Sequence, residues 1–405
     1  MYIRSLSLRQ FRTFNRLELD LPAGPVLLLG ANAQGKTSLL ESIAYMATGQ
    51  SPLTNIDQHL IHWHAVEADM PFAYLKARIV HADRDEEVEI ALERHSTTNG
   101  HTRTAKRIKI DQRAVRKADL AGHFNVVLFL PEDLVLVSGS PEGRRRHLDD
   151  LLSQISSEYV LASTSYRTAV SRRNALLRHL RENGGDRRQL EPLDKILARD
   201  GVFITLARRR LVDALNRYAD RLHQDLTGGT AWLQLQYQPS FDTVQPPAHN
   251  HELDILGAAT DSSEATAGYI RDYRETLLSY RNRELVRGVT MFGPHRDEMR
   301  FTSNSVDLGI YGSRGQQRTA VLALRFAALR WLEHTSGESP VLLLDEVLAE
   351  LDQERRTYLL DLLGEVEQTI LATTDAELFP ARFRRQAAVY QVAQGIITPF
   401  SGNTP

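Results

Sequence analysis

The chain has 405 residues, 42% of them apolar and 25% charged, which suits a globular protein of two or three domains with a real core. Its 49 Lys and Arg nearly balance its 51 Asp and Glu, a net charge of −2, so the whole chain is no polycation and any nucleic-acid surface must be a local patch. Having no cysteine, it forms no disulfide and carries neither an iron–sulfur cluster nor Cys-ligated zinc.

Alternating or continuous apolar runs predict strands over residues 2–11, 16–21 and 25–30, then a helix over 36–48. Further strands are predicted over 72–81, 86–94, 107–110 and 125–130. The opening Met1-Tyr2-Ile3-Arg4-Ser5 lacks the apolar stretch of a signal peptide. No apolar run approaches the roughly 20 residues that span a bilayer. Both features predict a cytoplasmic protein. From Leu148 a seven-residue apolar repeat runs through Ile155, Ala162, Ala169 and Leu176. A second series takes in Leu152, Tyr159 and Tyr166, is broken by Arg173 and resumes at Leu180. After the turn Gly184-Gly185-Asp186, Leu190, Leu197, Ile204, Leu211 and Tyr218 repeat at the same interval. This reads either as an antiparallel hairpin of two helices, each roughly 50 Å long, or as core helices of a compact bundle. Residues 241–268, with Pro246-Pro247, are expected to be a loop or linker. Strands and helices alternate again from residue 289, and residues 401–405 read as a loose tail.

Gly30-Ala31-Asn32-Ala33-Gln34-Gly35-Lys36-Thr37 fits G-x-x-x-x-G-K-[ST], with an apolar strand before it and a helix after it. In that context the loop amides would wrap phosphates, Lys36 would reach the β- and γ-phosphates of ATP, and Thr37 would ligate Mg²⁺. Val341-Leu342-Leu343-Leu344 is a buried-strand pattern with Asp345 at its carboxyl end, where α/β sheets bind ligands. Asp345 would hold Mg²⁺ directly or through water, and Glu346 would orient or deprotonate the attacking water. Lys36, Asp345 and Glu346 are therefore the candidate catalytic residues. A third stretch, Gly312-Ser313-Arg314-Gly315-Gln316-Gln317, opens an apolar helix. Ser313, Gly315, Gln316 and the amides around them either grip a phosphate at a helix N-terminus or simply cap an ordinary surface helix.

The helical region is locally basic: residues 144–181 hold eight Arg against three Asp or Glu. Arg144-Arg145-Arg146 and Arg208-Arg209-Arg210 are its densest points. If they share a face, they are the candidate contacts for a DNA backbone, read without sequence preference; the alternative is a solvated helix surface. His59, His62 and His64 lack a cysteine or a defined partner, which favours packing or surface roles over a metal site.

The order P-loop, glycine-freed serine, Asp-Glu strand resembles the ABC-type ATPases. In that superfamily the serine binds the γ-phosphate held by the other subunit's P-loop. Ala349-Glu350-Leu351-Asp352 resembles the loop that also crosses the dimer interface. More specifically, the chain resembles the RecF family of recombination-repair ATPases over nearly its whole length. The resemblance rests on Leu6-Ser7-Leu8-Arg9-Gln10-Phe11-Arg12, Phe129-Leu130-Pro131-Glu132-Asp133-Leu134, Gly139-Ser140-Pro141-Glu142-Gly143-Arg144-Arg145, Gly293-Pro294-His295-Arg296-Asp297-Glu298 and the Ser313 stretch. It implies an α/β fold: an ABC-type P-loop ATPase head with an inserted helical lobe and a short antiparallel helical arm. The corresponding division is 1–130 for the first part of the head, 131–288 for the lobe and arm, and 289–405 for the second part with the signature and Asp345.

The resemblance further implies an ATP-dependent homodimer and binding to single-stranded, gapped or junction DNA. It implies RecR and RecO as partners in loading recombinase, a part in the SOS response, and a weak DNA-stimulated ATPase. The alternative is an ABC-type ATPase acting as a nucleotide-gated scaffold or with a transport partner. The chain departs from the pattern in three places. Ser51-Pro52-Leu53-Thr54 lacks the family's arginine. Ile370-Leu371-Ala372-Thr373-Thr374-Asp375 has no switch histidine, leaving Thr374 or Asp375 for that place. No Q-loop glutamine is evident, leaving Glu132 or Asp133. His295 reads either as a structural brace or as a nucleotide or DNA contact.

Overall fold

The computed structural model describes residues 1–67, 71–96, 102–241 and 264–400. They form two compact units: Met1–Asp133 with Ala328–Pro405, and Leu134–Ala327.

In the first unit an antiparallel sheet has the order β2-β1-β4-β5-β6-β7. Its strands are β1 (Tyr2–Phe11), β2 (Phe14–Asp20), β4 (Phe72–Val80), β5 (Asp85–Ser96), β6 (Thr102–Ile110) and β7 (Arg113–Val115). A register shift between Ile3 and Ser5 of β1 explains why Ile3, Leu6 and Leu8 all face inward despite their odd spacing. The second sheet has the order β15-β14-β3-β13-β12-β8. It contains β3 (Gly24–Leu29), β8 (Val126–Phe129), β12 (Val341–Asp345), β13 (Gln368–Thr373), β14 (Ala388–Ala393) and β15 (Ile396–Pro399). All but β15 run parallel. Buried on both faces, β12 reads as a continuous apolar run up to Asp345 rather than an alternation, and β13 is buried at every position although Gln368, Thr369 and Thr373 are polar.

Helix α1 (Lys36–Thr48) packs against strands of both sheets, so it buries residues around most of its circumference, among them Leu39, Leu40, Ile43 and Met46. The buried Glu41 on it is held by a two-pronged pair with Arg12, both contacts at 2.7 Å.

The second unit is mainly helical: α2 (Val135–Ser138), α3 (Pro141–Ile155), α4 (Ser157–Asn183), α5 (Glu191–Leu226), α6 (Glu264–Arg287) and α7 (Leu308–Tyr311). Helix α8 (Arg314–Ser336) starts in this unit. The heptad series from Leu148 crosses a break at Ser156, whose hydroxyl accepts the Tyr159 N–H and caps α4. The expected first helix is thus two. Helix α4, about 40 Å long at 1.5 Å per residue, packs along α5, about 54 Å long, and α6 packs on both.

A small sheet, β11-β10-β9, joins β9 (Leu233–Gln238), β10 (Glu298–Ser303) and β11 (Val306–Asp307). The open edge of β9 is covered from α5, where Asp220 accepts the Leu233 N–H at 2.9 Å and Asn216 accepts the Leu235 N–H at 2.6 Å. The sequence division grouped residues 289–327 with the C-terminal part of the head. Here β10 pairs with β9, and α7 packs on α2 and β10, so those residues group with the helical lobe. The stretch expected as a loop over 241–268 lies mostly outside the described residues, as does the tail from 401, and its last part is already helical in α6. Among the described residues no helix is long and apolar enough to cross a membrane.

Candidate nucleotide site

Strand order brings the phosphate-binding pattern and Asp345 together. β13 lies between β3 and β12, and all three run parallel, so the loop after β3 and the end of β12 share one rim. The loop at residues 30–35 is fixed sterically at its start: a Cβ on Gly30 would fall 2.3 Å from the Val392 carbonyl oxygen. It is fixed conformationally at its end, because Gly35, which opens α1, has φ 114°. Ala33 between them also has a positive φ, 63°. The β14–β15 turn braces the loop from outside: the Gln394 N–H donates to the Gln34 side chain at 2.8 Å, and the Gly395 N–H to the Gln34 carbonyl at 3.0 Å.

Lys36 is buried and folded back over the loop, its Nζ 2.5 Å from the Gly30 carbonyl, 3.2 Å from that of Ala31 and 3.0 Å from Glu346 Oε1. Thr37 Oγ1 donates to Asp345 Oδ2 at 2.5 Å. Asp345 is almost fully buried, and desolvation raises its pKa against the Thr37 hydrogen bond, with Glu346 and Glu132 pushing the same way as burial. Two hard oxygen donors in contact, one of them a crowded carboxylate, suit a divalent cation such as Mg²⁺, whose charge would relieve that crowding. Glu346 has φ 50° and ψ 17°, a left-handed conformation rare outside glycine, and its other carboxylate oxygen accepts the Thr374 N–H at 3.3 Å. Of the two residues expected to stand in for the switch histidine, Thr374 is thus in contact with Glu346, whereas Asp375 caps the turn at Ala376–Leu378. Glu132 bears electrostatically on Asp345, whereas Asp133 accepts the Leu130 N–H locally.

Ser313 lies in the second unit, exposed, immediately before α8. It forms a reciprocal cap with Gln316: Gln316 N–H to Ser313 Oγ at 3.3 Å, and Ser313 N–H to Gln316 Oε1 at 2.9 Å. The capping role weighed from the sequence is therefore present, with the hydroxyl still open to solvent. Gly315 is exposed and a Cβ there would meet nothing within 4 Å, so no contact among the described residues requires that glycine.

The family profile described as the RecF/RecN/SMC N terminal domain matches residues 2–398. The chain belongs to the RecF family. Curated relatives named DNA replication and repair protein RecF include that of Roseiflexus castenholzii, 38% identical, with 98% of this chain and 100% of the relative covered. The one from Chloroflexus aurantiacus is 39% identical over 98% and 99%. The solved structure of the recombination mediator protein RecF-ATPrS in the RecFOR pathway matches with a TM-score of 0.82 at 26% identity, covering 99% of this chain and 98% of that one. The fold is accordingly the ABC-type ATPase head of the RecF family, with mixed α/β sheets and helical regions.

The six arginines expected at DNA divide by burial. Arg144 is buried, pairs with Glu298 through both prongs at 2.6 and 2.7 Å, and donates to the carbonyls of Leu136 and Gly139. Arg208 is buried too, bonded to Asp149 at 2.8 Å and to the Pro294 carbonyl at 2.7 Å. These two are internal ties whose buried guanidinium groups are committed to half-buried carboxylates and backbone carbonyls rather than presented at the surface. Arg145 reaches the Asp297 carbonyl, Arg146 lies 3.8 Å from Asp150, and both, like Arg209 and Arg210, are half-buried.

His295 is a brace: its Nδ1 meets the Tyr166 hydroxyl at 2.8 Å, and burial pushes its pKa down to about 4. His62 is buried with its ring stacked on Trp63, and among the described residues no three or more His, Asp or Glu side chains converge to hold a metal. Sequence reasoning missed the bracing role of Gln394 and Gly395. The only local signal was a Gln-Gly turn in a hairpin, which carries no hint of the loop it touches.

Proposed function

We propose that the chain is an ATP-gated DNA-binding protein of recombinational repair, in which bound ATP joins two copies and hydrolysis releases them. The observation that carries this reading is the contact of Thr37 with Asp345 at 2.5 Å beside the Lys36–Glu346 pair at 3.0 Å, at the mouth of a glycine-fixed loop. Residues 30–37 would wrap the phosphates of ATP with their amides. Thr37 and Asp345 would hold Mg²⁺, which when bound neutralises the β- and γ-phosphates. Lys36 turns from the Gly30 and Ala31 carbonyls to the γ-phosphate, which frees Glu346 from its ion pair. Glu346 then orients the attacking water and takes its proton as the β–γ bridging bond breaks, giving ADP and phosphate. Ser313, Gly315 and Gln316 of one copy would meet the γ-phosphate held by the other, so the nucleotide stabilises only the joined state.

The named pathway of the solved relative supports DNA, and mediators of the RecO and RecR kind, as partners. The arginines that remain on the surface of the helical lobe would meet phosphates without reading sequence. Light scattering with and without ATP–Mg²⁺, and with and without a gapped duplex, tests the reading. The expected result is a doubled mass with ATP–Mg²⁺ that Ser313→Arg abolishes while ATP still binds. A mass indifferent to nucleotide on DNA would overturn it.

A further inference from the structure

The outer face of the antiparallel sheet carries a pocket of about 440 Å³ that the nucleotide site does not use. Its floor and walls include Arg9, Phe72, Tyr74, Ala91 and Arg94. Strand register explains how it arises. Arg9, Tyr74, Ala91 and Arg107 stand in one row across β1, β4, β5 and β6, and Phe72 lies in the next row, opposite Glu93. The other face of the same strands carries Leu8, Leu75, Ile90 and Leu92, all fully buried, so this row points away from the core. Ala91 is the small residue in it, and its missing bulk leaves a notch beside two aromatic rings. Phe72 is 41% exposed although nothing in the core requires a ring there. Burial first, and the nearby Glu89 second, push the pKa of the Tyr74 hydroxyl up.

The charges around the notch favour an anion. Arg9 makes no ion pair among the described residues, whereas Arg94 shares the core-side face of β5 with Ile90 and Leu92. The single lining carboxylate, Glu93, is already neutralised by Arg107 at 3.1 Å, with His95 at 3.5 Å. A flat apolar platform beside the unpaired Arg9 matches a nucleobase with its phosphate: the ring stacks and the phosphate meets the guanidinium. An apolar side chain of a protein partner would fill the notch but leave Arg9 unanswered.

We propose that this pocket is a stacking subsite for a base of single-stranded DNA. It rests on the DNA-binding part of the function proposed above, and adds a place where a base of the strand would sit. A fluorescent oligothymidylate and a blunt duplex, each titrated with the full chain with and without ATP–Mg²⁺, test it. Phe72→Ala removes a ring and Ala91→Leu fills the notch without changing charge. Each is expected to weaken single-strand binding roughly tenfold, while thermal midpoint, duplex affinity and ATP-dependent mass stay at wild-type values. Phe72→Tyr, which keeps the ring, is expected to bind normally. Photocross-linking with iodouracil in the same oligonucleotide is expected to mark Phe72 or Tyr74.

Unchanged single-strand binding in both variants, the result a protein-side-chain occupant predicts, would overturn the proposal. So would equal losses on single strand and duplex. If the wild-type chain binds no DNA at all, the reading beneath it falls as well. If it dimerises with ATP on duplex and only the pocket variants show no effect, the subsite alone falls.

Discussion

Glu346 is held in a backbone conformation that costs a non-glycine residue on the order of 1–2 kcal/mol, and the surroundings enforce it: its N–H donates to the Ala372 carbonyl at 3.0 Å on the neighbouring strand. The bend turns the carboxylate toward Lys36 and away from the strand axis. A residue that only filled space would not need this geometry. Glu346→Gln keeps shape and backbone but cannot take a proton. The expected outcome is a fall in phosphate release of about 10²–10⁴-fold, with ATP affinity near wild type, measured by single-turnover release beside equilibrium nucleotide binding. An equal loss in both measurements would place Glu346 in binding rather than in chemistry. At this scale much of the site was legible, because the strand, glycines, Lys36 and Thr37 are contiguous and the Asp345-Glu346 pair ends an apolar run. What was not legible is what holds them: Gln394 braces Gln34 from 360 positions away, and Arg12 pins Glu41 of α1 from 29 positions away. Such partners become visible only when the sheet closes.

The helices of the second unit show why periodicity reads faces better than boundaries. The series through Tyr159, Tyr166 and Leu180 and that from Leu190 to Leu211 marked the buried stripe of α4 and α5, whereas Ile155, Ala162 and Leu176 of the first series are half-buried; the spacing also ran through the Ser156 break, since a cap interrupts the backbone without interrupting the spacing of apolar residues. The polar interruption, Arg173, is the most instructive residue there. Arg173 is fully buried and joins three elements: Asp194 of α5 at 2.7 Å, Glu284 of α6 at 2.7 Å and Thr290 at 3.0 Å. Arg281 completes the set on the second Asp194 oxygen. Arginine count therefore misled where burial decides, both here and at Arg144 and Arg208. Arg173→Met leaves the buried Glu284 without its cation and Asp194 with Arg281 alone, and is expected to cost about 3–5 kcal/mol in urea unfolding. Adding Glu284→Gln to it should recover part of that loss, because the second change removes a stranded charge. A loss that the second change deepens would mean that Arg173 acts by packing alone.

For the whole molecule, the proposed dimer makes a demand that no single chain can meet. Two-fold pairing builds two identical composite sites, each with the Lys36 loop of one copy and the Ser313 cap of its partner. Lys36→Met spoils the loop and Ser313→Arg spoils the cap, so each variant alone has two defective sites. Mixed in equal amounts, they can pair so that one site combines an intact loop with an intact cap, while the other carries both changes. The mixture is therefore expected to regain part of the ATP-dependent mass and hydrolysis that neither variant shows alone, up to about half of the wild-type sites in each mixed pair. Light scattering and phosphate release on the same samples read both. If Ser313 served only as the cap of α8 through Gln316, its substitution would act within its own chain, and the mixture would simply average the two variants. Recovery above that average is what distinguishes a serine that faces a phosphate on its twin from one that finishes its own helix.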